Sequence, residues 1–164
     1  MIEEKVNKIA LKFNLNTSNK YLKEALCVSH YKDTLQKGTE NNWQIKEAER
    51  PNQALAIVGD RYLKLVLSIK EFNKKSNPKK MNDFTIDNEN NGYLAKLGII
   101  EQNDAYALEN GKFIENKKRS DDISIATLVE AIIGALYLDE YERVGTSKVA
   151  FDFIDKYIIN KLNN

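Results

Sequence analysis

The sequence predicts an all-α fold, and three observations support this. Apolar residues recur at spacings of three and four along most of the chain, which is the period of an amphipathic helix. Only two prolines and seven glycines interrupt 164 residues, and no internal repeat is evident. A chain of this length fits one hydrophobic core, so we expect residues 1–164 to form a single domain.

Two helical segments are predicted at the start of the chain. The apolar stripe of the first consists of Ile2, Val6, Ile9, Ala10 and Phe13. This helix is expected to end at the asparagine-rich residues 14–19. A second, short helix is predicted from the apolar residues Leu22, Ala25, Leu26 and Val28. The apolar residues within 36–49 recur with no clear period, so we expect this segment to be mostly loop.

A long helix is predicted over residues 51–73. Pro51 suits its first turn, because a proline there loses no hydrogen bond. The centre of this helix is apolar nearly all round, which is typical of a helix inside a core. The charged residues 74–80 predict a loop, and a shorter helix is predicted over 83–97 with Gly98 as its carboxy-terminal cap.

Two further helices are predicted in the last third of the chain. Residues 101–110 are expected to form a turn or two, and residues 111–121 are polar and basic. A strongly apolar helix follows over 122–138, with an aspartate suited to its N terminus. The last helix begins near Thr146. Its apolar stripe consists of Val149, Phe153, Tyr157 and Ile158.

The composition excludes several classes of protein. Hydrophobic residues make up 42% of the chain and charged residues 30%, as in soluble globular proteins. The one cysteine, Cys27, cannot form an intramolecular disulfide. Neither a secretory leader nor a membrane-spanning apolar run is evident, so we expect a cytoplasmic protein with no membrane partner. A net charge of +1 disfavours non-specific coating of nucleic acid but allows a local phosphate-binding surface.

Two acidic residues, Asp60 and Glu130, lie within strongly apolar segments. Burying a lone carboxylate is costly unless it finds a partner, a proton or a metal ion. Each carboxylate could pair with a lysine or arginine, or cap a neighbouring helix. Alternatively, both could point into one polar notch and bind a divalent cation. Gly59 and Gly134 stand near the two acids and would allow close approach of backbones or ligands.

Helical spacing predicts the other residues of such a notch. Ala56 stands one turn before Asp60, and Thr127 stands three residues before Glu130. Two carboxylates with an otherwise neutral lining suit Mg²⁺, which keeps several waters and completes its shell with substrate phosphate. The lone cysteine and the lone histidine, His30, show no zinc-ligand spacing, and His30 is expected to be a packing or surface residue.

The two acidic segments resemble the ribonuclease III family of magnesium-dependent endonucleases. The segment NQALAIVGDRYLKLVLS resembles the family signature helix, commonly written NERLEFLGDAVL. The segment ATLVEAIIGALYLD resembles the second catalytic helix, commonly ADTFEALIGAIYLD, and ALCVSHY resembles ALTHRSY near the N terminus. The resemblance covers most of residues 20–140. It implies an all-helical endonuclease domain that acts as a homodimer on double-stranded RNA.

The chain departs from the full family pattern at three acidic positions. Of the four acids that coordinate metal in the family, Asp60 and Glu130 are present, whereas Ala56 and Thr127 replace the others. Gln53 replaces a further acid of the signature. The Mini-III branch of the family shows the same alanine and threonine and keeps the same aspartate and glutamate. The chain is therefore most similar to Mini-III, which has no double-stranded-RNA-binding domain.

The resemblance implies a specific site. Asp60 and Glu130 would be the catalytic residues and would hold Mg²⁺, with Mn²⁺ as a substitute, and hydrolysis would leave a 5′ phosphate and a 3′ hydroxyl. Ala56, Thr127, Asn52 and Gln53 would line the site. The candidate RNA contacts are Lys74, Lys75, Lys79, Lys80, Lys117, Lys118 and Arg119. Each basic cluster could instead be a solvated loop.

A second hypothesis is a non-catalytic ribonuclease III-like domain that acts in RNA binding or ribosome assembly, with a ribosomal or accessory protein as partner. Loss of acidic residues fits this hypothesis as well. The pattern of loss favours the enzyme, since random decay has no reason to spare the two acids that Mini-III retains.

Overall fold

The computed structural model describes residues 2–16, 20–29, 51–109, 112–115 and 122–162. Seven α-helices occupy most of these residues: α1 (Ile2–Phe13), α2 (Leu22–Ala25), α3 (Pro51–Asn73), α4 (Pro78–Glu89), α5 (Asn91–Lys96), α6 (Asp122–Val144) and α7 (Lys148–Ile154). A π-helical turn, Asp155–Ile159, and a 3₁₀ turn, Asn160–Leu162, continue α7. The all-α prediction is confirmed. The predicted loop over 36–49 lies outside the described residues.

Helices α3 and α6 form the centre of the fold. Each has 23 residues, and their facing side chains, such as Leu63, Leu67 and Ile132, are fully buried. The predicted bounds of α3 are confirmed. Helix α6 runs six residues beyond the predicted end at 138, because no glycine or proline follows Leu138 until Gly145, which has a φ of +71°.

A small three-stranded sheet covers one side of the helices, and the sequence analysis did not predict it. Strand β1 (Cys27–Ser29) pairs in parallel with β2 (Tyr106–Glu109), which pairs antiparallel with β3 (Lys112–Glu115). Residues 102–109 therefore hold a 3₁₀ turn followed by a strand, rather than turns alone. Val28, predicted to continue the second helix, lies in β1 instead. The missed signal is the Asn-Gly dipeptide between β2 and β3, which is typical of a tight hairpin.

Helix α4 begins at Pro78, so the predicted loop over 74–80 is wrong in its last three residues. The side chain of Asn77 accepts a hydrogen bond from the backbone N–H of Lys80 at 2.9 Å and caps the first turn. The predicted helix over 83–97 is in fact two helices, because Asn90 ends α4 and caps α5. Gly98 follows α5 with a φ of +62°, as its predicted capping role requires.

Aromatic packing joins the two ends of the chain. The ring of Phe13 in α1 lies 5.2 Å from that of Phe153 and 4.9 Å from that of Tyr157. The carboxylate of Glu140 accepts the backbone N–H of Val149 at 2.6 Å and so holds the start of α7 against α6. Val149 was predicted to lie on the apolar stripe, but its side chain is 38% exposed. Among the described helices, none is long and apolar enough to span a membrane.

Candidate metal and nucleic-acid site

Helices α3 and α6 cross in backbone contact at two glycines. A β-carbon on Gly59 would lie 1.8 Å from the carbonyl oxygen of Glu130, and one on Gly134 would lie 2.1 Å from the carbonyl oxygen of Leu55. Both positions therefore exclude any side chain. Since Asp60 follows Gly59 directly, this crossing fixes the position of the Asp60 backbone relative to Glu130.

An open pocket of about 320 Å³ lies beside this crossing. Its lining residues are Gln53, Ala56, Ile57, Asp60, Thr127 and Glu130. The structure thus brings together both predicted acids and three of the four residues predicted to line their site. Asn52 is not among the lining residues, since it lies about 100° around α3 from Gln53, on the buried side, with 5% of its surface exposed.

The carboxyl group of Glu130 is partly buried between the helices. Burial raises its pKa from the ordinary 4.5 to about 7, and the negative charge of Asp60 adds to the rise. Lys64 acts in the opposite direction and lowers the pKa, while Glu89 raises it further. The two predicted acids therefore repel each other electrostatically, which is the condition that a shared cation relieves.

Lys64 is an ion-pair partner of Asp60 that the sequence analysis missed. It lies one turn further along α3, and its Nζ is 3.0 Å from Oδ1 and 3.1 Å from Oδ2 of the aspartate. The interpretation that each acid pairs with a basic residue thus holds for Asp60. The i,i+4 spacing of Asp60 and Lys64 is visible in the sequence, but a lysine at this spacing is usually on the solvated face of a helix.

Glu89 is a third acid near the pocket. It lies at the end of α4, and its Oε1 is 3.7 Å from Nζ of Lys64. Its other oxygen, Oε2, is buried, and no residue in the described part of the chain donates a hydrogen bond to it. No sequence signal connects Glu89 to the site, since the packing of α4 on α3 brings it there.

The donor set suits a hard divalent ion held by few protein ligands. Within the described residues, no three His, Cys, Asp or Glu side chains form a group that could hold a metal ion. Asp60 and Glu130 would therefore supply two carboxylates, with water or substrate oxygens completing the shell, as Mg²⁺ tolerates. Cys27 is buried, and burial raises the pKa of its thiol to about 11, so it remains protonated.

The predicted RNA-contact lysines of the first cluster differ in their surroundings. Lys74 pairs with the buried Glu71 at 2.7 Å, and together with the hydroxyl of Ser76 it lowers the pKa of that carboxyl group. Lys75, Lys79 and Lys80 are exposed. Lys74 lies fourteen residues after Asp60, one residue beyond the end of α3, so it is about 21 Å from Asp60 along the helix axis.

The second predicted cluster, Lys117, Lys118 and Arg119, lies outside the described residues, and so does His30. The structure therefore gives no position for these side chains.

Comparison with known proteins gives one match. A family model described as the ribonuclease III domain matches residues 53–141, which is more than half of the chain and spans both acidic helices. No curated protein and no solved structure matches the chain.

Proposed function

The chain belongs to the ribonuclease III family, whose members act on double-stranded RNA and typically dimerise, and we propose that it is a Mg²⁺-dependent endonuclease of the Mini-III type. The observation that carries this proposal is the pocket in which Asp60 and Glu130 meet. These residues come from α3 and α6, which both lie largely within the residues that the family model matches. The crossing of these helices at two glycines holds the residues together.

The residues of the pocket fit a magnesium site. The pKa of Glu130 is raised to about 7 by burial and by the charge of Asp60, so a cation between them would favour the ionised pair. Both carboxylates supply the oxygen ligands that Mg²⁺ prefers. Ala56 places no charged group on the same wall, and it leaves space for water ligands.

Each side chain has a distinct role in the proposed reaction. Asp60 and Glu130 would hold the ion. When bound, the ion would act as a Lewis acid that polarises the phosphodiester and lowers the pKa of an attacking water. Thr127 and Gln53 present neutral polar groups at the rim of the pocket. Glu130 must lose its proton to act as a ligand. Hydrolysis is expected to leave a 5′ phosphate and a 3′ hydroxyl.

The exposed face of α3 supports a dimer. Ile57 lines the pocket and is 63% exposed, and Leu65 and Phe72 further along the helix are 53% and 70% exposed. Exposed apolar side chains on one helix face favour burial against another chain. We propose a second copy of this chain as that partner. A two-fold dimer would place one pocket on each strand of an A-form duplex, which is recognised by its shape and its 2′-hydroxyls.

The non-catalytic alternative rests on one observation, which is the ion pair between Lys64 and Asp60. An internal lysine neutralises the aspartate without any metal ion. A domain of this kind would bind RNA or a ribosomal partner through the same surface and leave the phosphodiester intact.

Cleavage of a long RNA duplex in Mg²⁺ or Mn²⁺ distinguishes the two functions. We expect the wild type to cut the duplex, and Asp60→Asn and Glu130→Gln each to reduce the rate by at least about 100-fold. Asp152→Asn is the matched control, because Asp152 is an exposed acid that pairs with Lys148 outside the pocket. Equal inactivity of the wild type and both site variants over a range of salt would reject the enzyme in favour of the binding domain.

A further inference from the structure

The ammonium group of Lys64 lies among the acids of the pocket. It contacts both oxygens of Asp60 at 3.0 and 3.1 Å and lies 3.7 Å from Glu89. Its positive charge also reaches Glu130. The side chain is 35% exposed, so the contact with Asp60 is open to solvent and does not lie in the core.

This position conflicts with metal binding at the same aspartate. A divalent ion held by Asp60 and Glu130 would repel an ammonium group that contacts one of the two ligands. Lys64 also competes for the oxygens of Asp60, since its ammonium group contacts both of them. We therefore expect the charge of the ion to drive the lysine off at least one oxygen of Asp60.

Glu89 offers Lys64 a second acceptor within reach. Its Oε2 is buried and receives no hydrogen bond from the residues that the structure describes, which is a costly state for a carboxylate oxygen. The lysine stem has rotatable bonds throughout and can move its ammonium group by a few ångströms. Transfer from Asp60 toward Glu89 would satisfy this oxygen and keep the ammonium group paired.

We propose that Lys64 is a displaceable internal cation of the metal site, whose ammonium group moves from Asp60 to Glu89 when a divalent ion binds. This inference rests on the proposed function, since it assumes that Asp60 and Glu130 hold the ion. Glu89 is then a positioning residue that acts through Lys64 and does not touch the metal ion.

A double-mutant cycle on Mn²⁺ affinity tests the proposal. The proteins are the wild type, Lys64→Met, Glu89→Gln and the double variant, each treated with EDTA, dialysed and titrated with Mn²⁺ by calorimetry or electron paramagnetic resonance. We expect Lys64→Met to tighten binding and Glu89→Gln to weaken it, each by at least about threefold. In the Lys64→Met background, the effect of Glu89→Gln should be clearly smaller, since only the direct charge of Glu89 on Glu130 remains.

Lys70→Met is the matched control for the loss of a positive charge from α3. Lys70 pairs with Asp155 and is 29% exposed, and it lies about 9 Å further along the helix axis than Lys64. We expect its Mn²⁺ affinity to equal that of the wild type. If Lys64→Met does not fold by circular dichroism, Lys64→Gln takes its place in the cycle.

Three results would overturn the proposal. Glu89→Gln could weaken binding equally in both backgrounds, which would make Glu89 a through-space charge or a ligand. Lys64→Met could leave the affinity unchanged or lower it. A crystal structure with Mn²⁺ could show Lys64 still on both oxygens of Asp60. Asp60→Asn is titrated alongside the cycle: if it binds Mn²⁺ as weakly as the wild type does, the proposed function itself fails, and this outcome is distinct from the other three.

Discussion

A methyl group added at Gly59 would lie 1.8 Å from the main-chain carbonyl oxygen of Glu130. No real β-carbon tolerates that distance from a backbone atom, so helices α3 and α6 would have to separate. The same crossing holds Asp60 and Glu130 at one pocket. Stability and the geometry of the candidate site therefore depend on one contact between two backbones.

Gly59→Ala should destabilise the protein by about 2–4 kcal/mol, because the added methyl group forces the helices apart. Urea unfolding followed by circular dichroism measures this change. The matched control is Gly92→Ala in α5, where a β-carbon would meet its nearest neighbours at 3.5 and 3.7 Å, ordinary contact distances. If the two variants unfold at the same urea concentration, the close crossing does not exist in solution.

The raised pKa of Glu130 makes stability depend on pH. The folded protein holds this proton with a pKa of about 7, against 4.5 for an ordinary glutamate. The stabilisation that the folded protein gains by holding this proton is therefore complete below about pH 4.5 and is lost as the pH rises through 7. In EDTA, the free energy of unfolding should fall by roughly 2 kcal/mol across this window, after allowance for partial exposure. Glu130→Gln should remove this fall, and an equal fall in wild type and variant would contradict the assignment.

Divalent ions should stabilise the folded protein through Asp60 and Glu130. A ligand at ten times its dissociation constant contributes about 1.4 kcal/mol, which for a protein of this size raises the melting temperature by roughly 3–5 °C. We expect Mn²⁺ to raise the melting temperature of the wild type and of Asp152→Asn but not that of Asp60→Asn. A shift that survives loss of Asp60 would place the ion elsewhere.

The long helices and the neighbours of each acid could be predicted because both follow from local sequence, whereas the meeting of the two acids was one of two alternatives that the sequence left open. A three- and four-residue apolar period marks α3 and α6, and the same period places Ala56 on the face of Asp60 and Thr127 on that of Glu130. The metal and catalytic roles of these residues remain proposals.

What the sequence did not reveal depends on contacts between distant segments. Strand β1 pairs with β2 about 80 residues away, and three-residue strands carry too little pattern to be recognised. Glu89 reaches the pocket through the packing of α4 on α3. Lys74 was assigned to RNA because no local pattern indicates that its ion-pair partner, Glu71, is buried.

Adding the two missing acids should strengthen metal binding. Ala56 and Thr127 line the same pocket as the existing carboxylates, so Ala56→Glu with Thr127→Asp should tighten Mn²⁺ binding by about tenfold or more. In EDTA the same variant should be less stable than the wild type, because four carboxylates repel one another. The neutral pair Ala56→Gln with Thr127→Asn is the control, and a gain in that variant would refute a charge-based explanation.

The lysines at the end of α3 and the start of α4 should separate into a structural and an RNA-binding group. Lys74 neutralises the buried Glu71, so Lys74→Ala should lower stability by about 1–2 kcal/mol. Lys79 and Lys80 are exposed, so replacing both with alanine should leave stability unchanged. If they contact phosphates, each loss should reduce the slope of log affinity against log salt for an RNA duplex by up to about one.

Filter binding of an RNA duplex at several salt concentrations measures that slope, and urea unfolding measures stability. Lys156→Ala controls for the loss of an exposed lysine outside this cluster, since Lys156 lies in the π-helical turn after α7. An unchanged slope for the double variant would assign Lys79 and Lys80 to the solvated-loop interpretation. RNA contacts would then have to come from other cationic side chains, and Lys117, Lys118 and Arg119 are the remaining predicted set, because phosphate neutralisation has to arise from some group of basic residues.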